Sequence, residues 1–97
     1  MTYEYELSED LKKKLRKLQK RDKVLYEATM SKIKEIIEMP LHYKPLRGDL
    51  KGERRVHLRG SFVLVFEVFE SLHLVKFYDL DHHDTIYLGS HSFLQLF

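Results

Sequence analysis

Apolar and polar side chains alternate in the opening stretch TYEYEL. Tyr3, Tyr5 and Leu7 fall on one side and Glu4 and Glu6 on the other, the period-two signature of a short strand. Ser8 then offers a capping hydroxyl, and Glu9 and Asp10 suit the positive end of a helix dipole. Leu11, Leu15 and Leu18, spaced by four and three, predict a first helix with one apolar face. The polar run KRDK interrupts the pattern. A second helix is predicted from about Lys23 to Met39, with Leu25, Ala28, Ile33, Ile36 and Ile37 on its buried side. Pro40 ends it, because the residue before proline avoids helical geometry. LHYKPLRGDLKGE, with two glycines and a proline, reads as a loop.

Beyond the loop the period returns to two. RRVHLRG places Arg55, His57 and Arg59 on one face and Val56 and Leu58 on the other. FVLVFEVF (62–69) is almost continuously apolar, as expected for a central strand buried on both faces. SLHLVKFYDL (71–80) predicts a further strand, and the short connections at Gly60–Ser61 and Glu70–Ser71 predict hairpins. The resulting order is β-α-α-β-β-β. It implies an α+β fold with two N-terminal helices packed on one face of a mainly antiparallel, four-stranded sheet.

Composition narrows this little. A chain of 97 residues has room for one core, so residues 1–97 are read as a single domain. No cysteine is present, which removes disulfides and thiolate chemistry. No apolar run reaches the length of a membrane span, and MTYEYELSED lacks the layout of a signal peptide. A cytoplasmic protein with no membrane association is expected.

Charge is more informative in pieces than in total. The net value of +2 suggests no polyanion partner, but residues 41–60 carry six basic side chains against two acidic ones. These are Lys44, Arg47, Lys51, Arg54, Arg55 and Arg59, all within one 16-residue segment. Residues 61–97 carry Lys76 alone against five acids. A local basic patch matters more than the sum. Lys12, Lys13 and Lys14 on the first helix sit among nearby acids and are expected to contribute much less.

Two stretches carry candidate chemistry. In RRVHLR the period-two geometry puts Arg55, His57 and Arg59 in a row, either as a solvated outer face or as a phosphate-binding one. Since Val56 and Leu58 supply the core face, the basic row is expected to be exposed. Guanidinium matches phosphate oxygens with paired hydrogen bonds. In DLDHHDTIY, residues 79–87, His82 and His83 are flanked by Asp81 and Asp84, with Tyr87 following. Three readings meet there: a metal site, acid–base and stacking groups, or a solvated turn. Zinc sites draw ligands from several elements at spacings such as H-x₃-H, and adjacent strand residues point to opposite faces, so no metal is expected. If the chain turns helical after Leu80, His83 and Tyr87 share a face at i, i+4. His42, His73 and His91 have no partner spacing and read as surface residues. The closing stretch 89–97 is apolar enough to fold back on the domain or be held by a partner.

Together, the β-α-α-β-β-β order, KPLRGDLKGERRVHLRGSFVLVFEV and the closing DHHDTIY resemble the RelE/ParE toxin superfamily of toxin–antitoxin modules. The resemblance covers about residues 3–88. Its most specific part, P-L-R-G-x-L-K-G-x-R-x-x-H-L, is similar to RelE-type and YafQ-type members. It implies a small ribosome-dependent endoribonuclease (an mRNA interferase) that inhibits translation by cutting mRNA, uses no cofactor, and is silenced by a RelB-like antitoxin in a hetero-oligomeric complex. By position, Arg55 and His57 match the family's basic and acid–base groups on the second strand. His83 matches the C-terminal histidine of the YafQ type, and Tyr87 an aromatic four residues on. Lys44 stands where some YafQ-type members have a histidine. Ser61 replaces an aspartate of YafQ-type enzymes, and Val63 the third-strand arginine of RelE-type ones.

The chemistry follows from RNA itself. When a 2′-OH attacks the adjacent phosphorus, a base must take its proton, an acid must protonate the leaving 5′-oxygen, and a cation must offset the added negative charge. Imidazoles titrating near neutrality suit the first two tasks and arginine the third. His57 and His83 are therefore expected to share acid and base roles. Arg55 is expected to stabilise the transition state and Tyr87 to stack on or hydrogen-bond the substrate. Lys44, Arg47, Lys51, Arg54 and Arg59 are expected to hold RNA backbone. The rivals are a ParE-like toxin that binds gyrase and cleaves nothing, and a degenerate member that only binds its antitoxin.

Overall fold

A computed structural model describes residues 2–43 and 52–84 of the chain. Strand β1 (Glu4–Leu7) leads into helices α1 (Glu9–Arg21) and α2 (Lys23–Glu38). Strands β2 (Glu53–Leu58), β3 (Phe62–Phe69) and β4 (Leu74–His82) follow. The sheet order is β1-β4-β3-β2, with β1 parallel to β4 and the other pairs antiparallel. The expected α+β architecture is present: two helices on a four-stranded sheet, mixed only at its β1 edge.

Local signals explain the helix boundaries. The Ser8 hydroxyl accepts the Leu11 N–H at 3.1 Å and donates to the Tyr78 carbonyl at 2.6 Å, so one side chain caps α1 and ties it to β4. Asp22 ends α1 and caps α2 by accepting the Leu25 N–H at 3.1 Å. Pro40 opens a 3₁₀ turn, Pro40–His42, directly after α2. Leu11 and Leu15 of α1 and Leu25, Ile33 and Ile36 of α2 are buried against Leu58, Leu64, Phe66, Val75, Phe77 and Leu80 of the sheet. Each large apolar side chain so buried contributes about 1.5–3 kcal/mol. Thr29, not foreseen as a core position, is also buried, and its hydroxyl donates to the Leu25 carbonyl at 2.8 Å.

Strand β3 is dry on both sides, as its composition predicts. Leu64 and Phe66 join the helix-side core, while Val63 and Val65 form a second cluster with Tyr78. Two boundaries differ from expectation. β4 begins at Leu74 because Glu70–Leu72 form a 3₁₀ turn and His73 adopts a left-handed conformation at φ 48°. β2 stops at Leu58 because Arg59 and Gly60 both take positive φ, 49° and 74°, the pairing that lets a tight turn follow the twist of its strands. Helical geometry resumes after His82 rather than after Leu80.

One polar contact locks α1 to β4. Lys14 Nζ donates to Asp79 Oδ1 at 2.7 Å, Asp81 Oδ2 at 3.0 Å and the Leu80 carbonyl at 3.1 Å. Lys14→Ala would leave the Asp79 side chain, 8% exposed, without that cation. The expected loss is about 1–3 kcal/mol, less than for a fully buried pair because solvent screens the half-open Lys14. Burial alone would raise the Asp81 carboxyl, but Lys14 and the His82 N–H outweigh it and hold it below the ordinary 3.8. Its stabilisation is therefore present above that value and lost as pH falls through the folded-state pKa. Burial alone would lower Lys14, but Asp79 and Asp81 raise it above 10.5, so its share is lost as pH rises through the folded value. In urea unfolding, wild type and Lys14→Ala should differ by a constant amount between about pH 5 and 10 and converge at both extremes.

Candidate functional site

The β2–β3 register decides which side chains of β2 share a face. Glu53, Arg55 and His57 lie opposite Glu67, Val65 and Val63. Arg54, Val56 and Leu58 lie opposite Phe66, Leu64 and Phe62, on the helix side. The predicted division of faces is correct, but its consequence is not. The Arg55 side chain is only 6% exposed and pairs with Glu53 Oε1 at 3.3 Å. The row of exposed cations expected on this strand is therefore absent. The face without helices is still dry over its centre, where Val63 and Val65 are fully buried. Arg59 has left the row altogether, exposed in the left-handed turn. Arg54 is turned inward, its Nε donating to the Tyr43 carbonyl at 2.7 Å.

A polar network lies along the same face. Tyr78 donates to Glu67 Oε1 at 2.7 Å, and the other oxygen of Glu67 lies over Gly52, at 3.2 Å from where a Cβ would stand. Burial raises the Glu53 carboxyl; the Arg55 charge and hydrogen bond only partly offset it, and the Glu67 charge adds to it. Burial also raises the Tyr78 phenol, with its hydrogen bond to Glu67 and the surrounding carboxylates acting in the same direction. Tyr78 thus stays a protonated donor under all ordinary conditions.

The histidines meet at the end of this face. His57 near the end of β2 and His83 just past β4 stack with ring centroids 5.5 Å apart and planes inclined by 30°. They line an open depression of about 410 Å³ with Gly60, Ser61, His82 and Asp84. The His83 N–H donates to the Ser61 carbonyl at 2.7 Å, which staples the end of β4 to the β2–β3 turn. Asp84 Oδ1 is 3.5 Å from His83 Nδ1, and the His82 ring leans on Phe62 at 4.5 Å. Both imidazoles of the stack are exposed, so either can exchange protons with a bound group.

His57 and His83 are therefore brought together, while Arg55 lies buried on the strand that carries His57. Tyr87, Lys44, Arg47, Lys51 and the 89–97 tail lie outside the described residues. The DHHD stretch was legible as candidate chemistry, but no role in the site was expected of His82 or Asp84. The turn residues Gly60 and Ser61 were the available signal, because a tight turn beside a histidine strand must form a wall of any cleft there. Among the described residues, no three histidine, aspartate or glutamate side chains converge so as to hold a metal ion.

Residues 5–87 match the family described as the ParE toxin of the type II toxin–antitoxin system parDE. The chain belongs to that family. Its relatives include a chain of Methanocaldococcus jannaschii named as a candidate toxin, RelE4, 51% identical over 85 residues covering 88% of this chain and 90% of the other. A Methanosarcina mazei protein of undescribed function is 39% identical over 88% of this chain and 99% of its own. Free E. coli toxin RelE, in a double arginine-to-alanine variant, shares the fold with a TM-score of 0.74 over the whole of both chains at 23% identity. This RelE/ParE-superfamily chain is thus a toxin of a toxin–antitoxin module, with a fold that matches RelE-like toxins.

The two departures from the family pattern have different structural settings. Val63 is fully buried directly across from His57, whereas Ser61 is exposed on the rim. Val63→Arg should lower stability by about 3 kcal/mol or more, because it buries a cation with no designed partner. Ser61→Asp should stay within about 0.5 kcal/mol of wild type. Denaturant titration of both variants measures the contrast, and equal losses would contradict this account of the rim.

Proposed function

We propose that this toxin is a ribosome-dependent endoribonuclease that cleaves mRNA by attack of the 2′-OH on the adjacent phosphorus. The observation that carries the reading is the His57–His83 stack on an open polar depression. Two exposed imidazoles from separate elements, 5.5 Å apart, suit one proton taken and one proton given across a single phosphodiester. A binder has no need of such a pair. One imidazole removes the 2′-OH proton and the other protonates the 5′-oxygen as the P–O bond breaks. The chemistry draws on no cofactor.

Other side chains take narrower parts. Arg59, exposed in the turn next to Gly60 and Ser61 of the depression, would meet a non-bridging phosphate oxygen. Arg55, its charge shared with Glu53, acts as a buried field two residues from His57 rather than as a direct substrate ligand. Tyr87 stacks on or hydrogen-bonds the substrate, and Lys44, Arg47 and Lys51 hold backbone, on the strength of the sequence pattern alone. Arg54 serves the fold first, by anchoring the chain at Tyr43.

A small antitoxin is the proposed partner. Structural neighbours include the RelBE2 complex of Mycobacterium tuberculosis and the RelBE complex of E. coli, both toxin–antitoxin complexes. The second functional reading is a ParE-like binding toxin without enzymatic activity, which the matched family itself favours.

Translating ribosomes programmed with a defined mRNA separate the two. New mRNA ends after addition of toxin are expected, and single His57→Ala and His83→Ala changes should each lower cleavage by roughly 10²-fold or more with the fold retained. Activity should survive EDTA in a system that tolerates chelation. Absence of any cut, or full activity in the double variant, would favour the binding toxin.

A further inference from the structure

The charged side chains of α1 divide into two sets. Lys12 pairs with Glu9 at 3.2 Å, and Lys14 is held by Asp79 and Asp81. Lys13, Arg16, Lys17, Lys20 and Arg21 are exposed, and none forms an ion pair with a described residue. Their spacing follows i, i+3, i+4, i+7 and i+8, which sets them along one face of the helix. With Gln19 they line a shallow depression of about 520 Å³. Like charges three and four apart repel, so this face works against the helix as long as nothing neutralises it. Lys20 and Arg21 suit the negative end of the helix dipole, but Lys13, Arg16 and Lys17 lie too early for that to explain them.

We infer that this face of α1 is a phosphodiester-backbone site, and that duplex RNA supplies the phosphates. It rests on the proposed function only in taking RNA as the relevant polyanion. Every residue lining the depression is lysine, arginine or glutamine. Protein interfaces are poor in lysine and built around apolar or aromatic anchors, none of which lines it, so a peptide partner fits less well. The nine-residue stretch from Lys13 to Arg21 spans about 12 Å of helix, a length over which a duplex presents several phosphates. The Lys14 clamp holds this helix rigidly to β4, the strand that leads into His83. RNA gripped by α1 therefore lies at a set position relative to the histidines. This departs from the expectation that charges on the first helix are balanced locally: Glu9 is taken up by Lys12, and among the described residues no ion pair joins Asp10 to this face.

The test is binding, not cleavage. A 16-base-pair RNA duplex of arbitrary sequence is titrated with full-length toxin by fluorescence anisotropy at several salt concentrations. Replacing Lys13, Arg16, Lys17, Lys20 and Arg21 together by glutamine should weaken binding by roughly 10²-fold. It should also flatten the salt dependence by roughly 0.7 to 0.9 log units for each phosphate no longer neutralised. Thermal unfolding of that variant should be unchanged or higher, because the repulsion is gone, which separates weakened binding from a damaged fold. Wild-type affinity in the glutamine variant would overturn the inference. So would tighter binding of a polyglutamate peptide than of RNA at the same salt, which would mark a protein site. Should ribosomes yield no cleavage while RNA binding still depends on α1, the enzymatic reading fails and this inference stands.

Discussion

Strand β3 is dry on both sides from Val63 to Phe66, and it lies between the two strands that lead to the histidines. Its burial sets the rest of the molecule. On one side Leu64 and Phe66 seat both helices. On the other, Val63 and Val65 exclude water from beneath β2, and this removal of solvent forces Arg55 into a pair with Glu53. A cation on a wet strand face would have needed no such partner. The register that β3 imposes also brings the β2–β3 turn to the end of β4, where the Ser61–His83 backbone hydrogen bond closes the depression.

Rigidity and exposure are divided accordingly. The support is cross-linked and at least partly buried: Ser8 caps α1 onto β4, Lys14 bridges α1 to Asp79 and Asp81, and Tyr78 braces Glu67. The groups suited to proton transfer sit just past that support, on open rims where a substrate can reach them. A site of this kind needs little depth if its substrate is large and is held elsewhere. On the proposed reading, a cationic helix face locked to β4 would supply such a hold.

Much of this was legible in the chain. The period-two and 3.6-residue patterns, Ser8, the KRDK break and Pro40 mark the helices, and FVLVFEVF marks a strand buried on both faces, because these signals act over a few residues. His57 and His83 were identifiable as chemical candidates by type and motif. What the sequence could not decide was which side of the sheet is wet, since alternation assigns faces and not solvent. Only the two-sided core shows that Arg55 is buried and Arg59 is not. Lys14 and Lys13 are equivalent as neighbours in a lysine run. Only the approach of α1 to β4, 65 residues away in the chain, makes one a half-buried clamp and leaves the other a free cation among the described residues. Sequence by itself determined the elements, the family pattern and the candidate histidines. Tertiary structure decided which charges are spent on holding the fold and which remain for a partner, because desolvation and ion pairing depend on the approach of distant parts of the chain.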